Sequence, residues 1–252
     1  AINAPTDIRL SATTVGENVS GATIGVLTVD DPDAGSAFVV ALSDNRFELS
    51  GASILKLKSG QSLDFETEPF VTLQATATDP TGLSVTRALT ITVSNVNEAP
   101  TSIALSASSV AENAPGAVIG TLAVSDPDAG STHTLVALTS GGGNDIGPSP
   151  FFEVSGSTLK VKPGVSLDRE ATPSIVTTIV AIDQGGQSRA QAFTISVTDV
   201  NEAPTAIALS GSSVTEDVSG AVVGTLSASD PDAGDTQSFS VSSPQFEISG
   251  TT

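Results

Sequence analysis

Apolar and polar residues alternate with a period of two along most of this chain, and the same order of alternating stretches runs twice. Residues 22–29 (Ala-Thr-Ile-Gly-Val-Leu-Thr-Val) and 117–124 (Ala-Val-Ile-Gly-Thr-Leu-Ala-Val) are the longest matched pair. Such alternation is the mark of a half-buried strand, because successive side chains of a pleated backbone point to opposite faces. The pattern predicts seven strands in a first unit, at 8–10, 22–29, 38–42, 47–49, 54–58, 71–78 and 87–93. The second unit repeats them at 103–105, 117–124, 133–138, 152–154, 158–162, 175–182 and 190–197. Gly, Pro, Asp or Ser separates the strands, and no 3.6-residue periodicity intervenes. The economical solution is all-β: seven-stranded Greek-key, immunoglobulin-like sandwiches in a linear array.

The repeat is also written in acids. Asp-Pro-Asp-Ala-Gly occurs at 31–35, 126–130 and 230–234, each time fourteen residues after a lone acid: Glu17, Glu112 and Glu216. This divides the 252 residues into repeat 1 (1–99), repeat 2 (100–203) and the beginning of repeat 3 (204–252). Repeat 3 holds four predicted strands and the start of a fifth, too few to close a sandwich without exposing unpaired edges. Either the protein continues, the preferred reading, or a neighbouring chain supplies the missing strands by strand addition and makes a self-assembling fibre. About ten extra residues in repeat 2, centred on 141–148, predict a surface loop. A phosphate cradle is not expected there, since the loop precedes a strand and lacks the Lys-Ser/Thr that opens a helix.

Composition narrows the chemistry. With nine Phe and no Trp, Tyr, Met or Cys, the cores must be aliphatic and no disulfide can staple them. A net charge of −19 argues against nucleic acid and anionic membrane surfaces, which demand Lys/Arg patches. No apolar run is long enough to span a bilayer. The acidity has two readings, solubility or shared cations. In extended backbone residues i and i+2 face one side, so Asp31/Asp33, Asp64/Glu66 and Asp168/Glu170 each present two carboxylates together. A lone Asp-Pro turn would be unremarked. Here the intervals are kept: Asp64 to Asn97 and Asp168 to Asn201 are both thirty-three residues, and Asp64 to Asp79 and Asp168 to Asp183 are both fifteen. Oxygen donors without a His or Cys cluster suit Ca²⁺, which takes six to eight oxygens, over Zn²⁺ or Cu²⁺.

These motifs together resemble cadherin repeats in their prokaryotic cadherin-like form. They are Val-x-Glu-Asn, Asp-Pro-Asp-Ala-Gly, Leu-Asp-Phe-Glu at 63–66, Leu-Asp-Arg-Glu at 167–170, Ala-x-Asp at 77–79 and 181–183, and Asp-Val-Asn-Glu-Ala-Pro at 199–204. The resemblance implies Ca²⁺ ligands gathered at inter-repeat junctions. At the first it implies Glu17, Asp64, Glu66, Asn97 and Glu98, with Asn95, joined by Asp126, Asp128 and Asp183 of repeat 2. At the second it implies Glu112, Asp168, Glu170, Asp199, Asn201 and Glu202, joined by Asp230 and Asp232. Asp31, Asp33 and Asp79, with Asn3, would face a preceding unit. The linker Asn-Glu-Ala-Pro is one residue shorter than the animal form, Asn95 stands where the second linker has Asp199, and Phe65 where repeat 2 has Arg169. One or two ions per junction are therefore expected rather than three.

The resemblance further implies an extracellular or cell-surface stalk, filament or adhesin, stiffened when Ca²⁺ cancels the repulsion of clustered carboxylates. Expected partners are neighbouring copies of the same protein, and cell-surface glycans or proteins, with no nucleic acid and no membrane insertion within this segment. A carbohydrate-binding module is the rival from another class, but the Trp or Tyr platforms that stack sugars are lacking. No catalytic residue is expected. The one histidine, His133, has no counterpart in repeats 1 or 3, and the paired acids sit beside linkers rather than in a cleft. Asn18-Val19-Ser20 is a sequon, a pattern that also arises by chance.

Overall fold

In a computed structural model of the chain, which describes residues 3–33, 35, 37–139 and 147–250, all regular structure is β. Among the described residues no helix is long and apolar enough to cross a membrane. The glycine-rich stretch expected to be a surface loop lies outside the described residues up to 146. At its end Pro148 forms a bridge with Leu138.

Repeat 1 contains β1 (Asp7–Leu10), β2 (Thr14–Gly16), β3 (Thr23–Asp30), β4 (Val39–Leu42), β5 (Phe47–Ser50), β6 (Ile54–Leu57), β7 (Phe70–Thr78) and β8 (Ser84–Ser94). One sheet runs β1-β3-β6-β5 and the other β2-β8-β7-β4. In β7 the residues Val71, Leu73, Ala75 and Ala77 are buried while those between them face outward, as the alternation predicts. They pack with Leu55, Leu57, Ile91 and Phe47 into one aliphatic core. Exposed threonines on the outer face pair across the strands, Thr72 with Thr90 at 3.2 Å and Thr76 with Thr86 at 2.9 Å.

The count is eight strands, not seven. The extra element is β2, in a segment where the alternation predicts no strand. It pairs parallel to the end of β8, Val15 opposite Val93, and Val15 is buried. The chain therefore starts in one sheet as β1 and crosses to the other as β2. The crossing passes close to Gly25, where a β-carbon would lie 2.9 Å from both the backbone N and O of Ala12. Strand β3 shifts register between Thr23 and Gly25 at the same place, a bulge built around the one residue that admits the crossing chain.

Repeat 2 follows the same plan with β9 (Ser102–Leu105), β10 (Ser109–Ala111), β11 (Val118–Ser125), β12 (His133–Thr139), β13 (Phe152–Ser155), β14 (Thr158–Val161), β15 (Ser174–Asp183) and β16 (Ser188–Thr198). Its sheets run β13-β14-β11-β9 and β10-β16-β15-β12 around a core of Leu159, Val161, Ile179, Ile195 and Phe152. Gly120 meets Ala107 as Gly25 meets Ala12. In repeat 3 the described residues form two strands, β17 (Ala206–Leu209) and β18 (Leu226–Ser229), paired antiparallel. The four predicted strands are not reached, and Ile207 stays 71% exposed with no second sheet over it.

Compactness cuts the chain differently from the sequence repeats. One unit comprises Ala1–Ser102, Ser125–Thr134 and Ile182–Arg189; the other comprises Ile103–Val124, Leu135–Ala181 and Ala190–Thr252. The two loops carrying Asp126, Asp128 and Asp183 thus group with repeat 1 and its linker.

Candidate metal centre

The first acidic group lies within the first of these units. Glu17 follows β2 directly and is only 1% exposed. Its Oε2 accepts from the Phe65 backbone N–H and its Oε1 from that of Val96, both at 2.8 Å. A buried carboxylate needs such donors to replace lost water. One side chain thereby pins the end of β2, the loop after Leu63 and the start of the linker. Asn18, next in the chain, adopts a left-handed backbone, φ 59°, a region that Asn tolerates better than most residues. Its side-chain amide donates to Glu98 Oε1 at 2.7 Å.

Ligand oxygens of Glu17, Glu66 and Glu98 lie within 4.8 Å of one another. Three carboxylates at this spacing repel, and Glu66 registers it. Desolvation, followed by the charges of Glu17 and Glu98, holds its carboxyl above the usual range, against a lowering hydrogen bond to its own backbone. The linker then reaches the repeat 2 loops. The Glu98 N–H donates to Asp128 Oδ2 at 2.7 Å, and Asn97 Nδ2 donates to Asp183 Oδ2 at 2.9 Å. Desolvation pushes Asp183 up, but the Asn97 amide and the backbone N–H groups of its own turn outweigh it, so the carboxyl sits below its ordinary value. Gly185 makes room for Asn97: a β-carbon there would lie 2.4 Å from the amide. Asp126 stands behind, its Oδ1 accepting from Asp128 N–H at 3.0 Å and Ser131 Oγ at 3.2 Å, its Oδ2 2.7 Å from His133 Nε2.

The second group, within the second unit, repeats the buried glutamate and the Asn–Glu tie but draws its third carboxylate from Asp199, where the first linker has Asn95, rather than from Glu202, the counterpart of Glu98. Glu112, again 1% exposed, accepts from Arg169 and Val200 backbone N–H groups at 2.8 Å. Asn113, φ 53°, donates to Glu202 at 2.6 Å. Glu112, Glu170 and Asp199 bring ligand oxygens within 4.8 Å of one another. A hydrogen bond to its own backbone lowers Glu170, but desolvation and the charges of Glu112, Asp199 and Glu202 outweigh it and its carboxyl is raised. Asp199 is also raised, by desolvation first and by Asp232 and Glu112, although Arg169 lies 2.9 Å away and pulls it down. The Glu202 N–H donates to Asp232 Oδ2 at 2.6 Å, while Asn201 turns its amide to the Glu202 carbonyl at 3.0 Å.

Other sequence-predicted residues stand apart from these groups. Asp64 accepts from Thr67 N–H and Oγ1, both at 3.0 Å, and Asp168 from the Ala171 N–H at 2.8 Å, so both cap the turns that carry Glu66 and Glu170. In repeat 1, Asp33 accepts from the Asn3 backbone at 2.6 Å and donates its own N–H to Asp31 Oδ1 at 2.6 Å. Asp79 accepts three donors on Oδ1, from Thr81 N–H, Thr81 Oγ1 and Leu83 N–H. These outweigh its desolvation and lower its carboxyl. The remaining oxygens Asp31 Oδ2 and Asp79 Oδ2, with Asp232 Oδ1, are buried without a hydrogen-bond partner. Orphaned anionic oxygens are costly unless a cation or water completes them. The sequence reading missed Asn18 and Asn113 as orienting residues, though Asn follows the lone Glu in both complete repeats.

The cadherin-domain family description matches residues 106–198. The chain is 33% identical over 209 residues to human protocadherin-16, covering 76% of this chain and 6% of that protein. It is 32% identical over 203 residues to protocadherin gamma-A11 of Pan troglodytes, covering 75% of this chain and 21% of that protein. The chain thus spans about a fifth or less of these relatives. Among solved structures it is similar to the protocadherin gammaB7 EC3-6 cis-dimer, with a TM-score of 0.60 and 26% identity, over 92% of this chain and 62% of that one.

Proposed function

The chain is made of cadherin-like tandem repeats, and on that premise we propose that it is a Ca²⁺-dependent segment of an extracellular structural or adhesive protein. One observation carries the reading. In each group, acids from a strand end, a loop and the linker come within 4.8 Å of one another; among the described residues no cation pairs with Glu66 or Glu98, and Arg169 alone pairs with Glu170 and Asp199. The donors are all oxygen and one buried carboxylate oxygen, on Asp232, lacks a partner. Such a set fits Ca²⁺ and does not fit Zn²⁺, which prefers nitrogen and sulfur.

Glu17, Glu66 and Glu98 would hold one ion, with Asp126, Asp128, Asp183 and Asn97 beside it; Glu112, Glu170, Asp199 and Glu202, with Asp230 and Asp232, would hold the other. The bound cation supplies charge neutralisation. The chain's own residues do the remainder: Glu17 and Glu112 tie the linker to the preceding repeat, and Asn97, Glu98 and Glu202 tie it onward through Asp183, Asp128 and Asp232. Partners are second copies of the same repeats, as in the protocadherin gammaB7 EC3-6 cis-dimer. The work is mechanical rather than catalytic.

Calorimetric titration of chelated protein with Ca²⁺ tests this, followed by small-angle scattering with and without the ion. Binding with a scattering profile that stiffens on Ca²⁺ is expected. Heats no larger than dilution, or an identical profile in chelator, would overturn the reading.

A further inference from the structure

The turn that carries Glu66 is fastened at both ends. At its start the Phe65 N–H donates to Glu17 Oε2 at 2.8 Å. Within it Asp64 Oδ1 accepts from the Thr67 N–H, and the Glu68 N–H closes on the Asp64 carbonyl at 2.9 Å. At its end the Glu68 carboxylate meets the guanidinium of Arg46: Nη1 donates to Oε2 at 2.6 Å and Nη2 to Oε1 at 3.3 Å. Two parallel charge-assisted bonds fix direction as well as distance. Arg46 is locked on its other side too. Its Nε and Nη2 donate to Asp44 Oδ2 at 3.1 and 2.7 Å, and its backbone N–H donates to Asp44 Oδ1 at 2.9 Å. The guanidinium carbon also lies 5.9 Å from the centre of the Phe47 ring, a core side chain only 3% exposed. Through Arg46 the Glu66 turn is tied to the head of β5 and the core beneath it.

Repeat 2 is built differently at the same place. Its turn closes identically, Thr172 N–H to the Asp168 carbonyl at 2.9 Å, but Thr172 stands where repeat 1 has Glu68. Phe152 heads β13 as Phe47 heads β5, and Phe151 takes the position of Arg46, its ring 6.2 Å from that of Phe152. In repeat 3 Gln245 precedes Phe246, whose N–H donates to the Ser243 carbonyl as the Phe47 N–H does to that of Asp44, both at 3.3 Å. Among the described residues the brace therefore belongs to repeat 1 alone. Repeat 2 places its guanidinium at the acid itself, Arg169 lying 3.5 Å from Glu170.

We propose that Arg46 is a positioning residue for cation binding at the first acidic group, holding the Glu66 turn in place through Glu68 without being a ligand. The inference rests on the Ca²⁺ reading above and adds to it a cation that favours the binding of another cation. Coulomb's law alone makes a nearby positive charge unfavourable to Ca²⁺, so deleting Arg46 would tighten binding if charge were all that mattered. Preorganisation gives the opposite sign. A turn released from its anchor must be ordered again when the ion arrives, and loss of a partner that orients a metal ligand costs about tenfold or more in affinity.

The test is Ca²⁺ titration of the whole chain by calorimetry, with the second group silenced by Glu170→Gln and Asp199→Asn. Arg46→Met, which keeps an apolar stem and removes the fork, should weaken the first group about tenfold. Glu68→Thr, which installs the residue repeat 2 carries, should do the same, and the double variant should lose no more than either alone. Arg46→Lys keeps the charge without the fork and should fall between. Hydrogen exchange in chelator gives a second readout: the amides of residues 65–68 should exchange faster in Arg46→Met, while those of the core strands keep their rates. First-group affinity unchanged or tightened in Arg46→Met, or back at the wild-type value in the double variant, overturns this inference and leaves the Ca²⁺ reading standing. Should circular dichroism show Arg46→Met unfolded, unchanged affinity in both Arg46→Lys and Glu68→Thr overturns it instead. A wild-type chain that binds no Ca²⁺ overturns both.

Discussion

Replacing Glu17 by alanine separates two roles that a single carboxylate holds. In the native protein its two oxygens satisfy two backbone donors, Phe65 N–H and Val96 N–H, from a position 1% exposed. Alanine leaves both donors without a partner, and an orphaned buried donor costs about 1–3 kcal/mol. Because Val96 itself is exposed, water can reach one of them, so the expected cost for the pair is about 2–4 kcal/mol. For a domain of this size 1 kcal/mol moves the midpoint by about 4–8 °C, which places the shift at about 8–32 °C. Glu66→Gln removes an equivalent charge from the same group but no donor depends on it in this way. In chelator Glu66→Gln should leave the melting temperature unchanged or slightly raised, since it relieves repulsion with Glu17 and Glu98. Both variants should weaken Ca²⁺ binding. The protein lacks Trp and Tyr, so unfolding is followed by far-UV circular dichroism. Equal melting temperatures for the two variants in chelator would refute the claim that Glu17 is a structural tie as well as a ligand.

Gly185→Ala should displace the Asn97 amide, leave Asp183 Oδ2 without its donor and weaken Ca²⁺ binding at the first junction only, which site-resolved titration against a Glu112→Gln background would read. Leu73→Ala, at a position with no exposure at the centre of the first core, should cost about 2–5 kcal/mol in urea unfolding and leave Ca²⁺ affinity unchanged once folded. Acid should act in two opposed ways. Glu66 and Glu170 have carboxyls raised above 4.5, so they stabilise the chelated fold most when protonated and lose that contribution as pH rises; Ca²⁺ binding should therefore weaken and release protons as pH falls toward that value, measured by calorimetry in buffers of differing ionisation heat. Asp183 and Asp79 are lowered below 3.8, so their contribution is present above 3.8 and is lost as pH falls further, seen as an acid unfolding limb that neutralising Asp183 to Asn shifts upward.

Much of this was legible before any coordinates. Strands β3, β7 and β8 announce themselves because one face is core and the other solvent, and the alternation Val71, Leu73, Ala75, Ala77 is that asymmetry written out. Strand β2 was not legible, since three residues are too few to show a period and its parallel pairing with β8 is a tertiary fact. The acids were legible as motifs at kept intervals, but those intervals run through Asp64, Asp79 and their counterparts, whereas the groups gather Glu17, Glu66 and Glu98, and Glu112, Glu170 and Asp199. Intervals alone do not tell which acids come together. Asp64 and Glu66 look alike as an i, i+2 pair, yet one caps a turn with Thr67 and the other enters the group. Asn18 was visible in the motif but its role needed the left-handed backbone that turns its amide toward Glu98. Gly185 carried no signal at all, because what it accommodates lies eighty-eight residues earlier.

The grouping of residues 125–134 and 182–189 with the preceding repeat bears on how such a chain can lengthen over generations. A duplication that cuts at the linker copies a tidy stretch of sequence but severs a half-finished socket at one end and a half-finished plug at the other. What must be inherited together is therefore an overlapping segment, the tail of one copy plus two loops of the next.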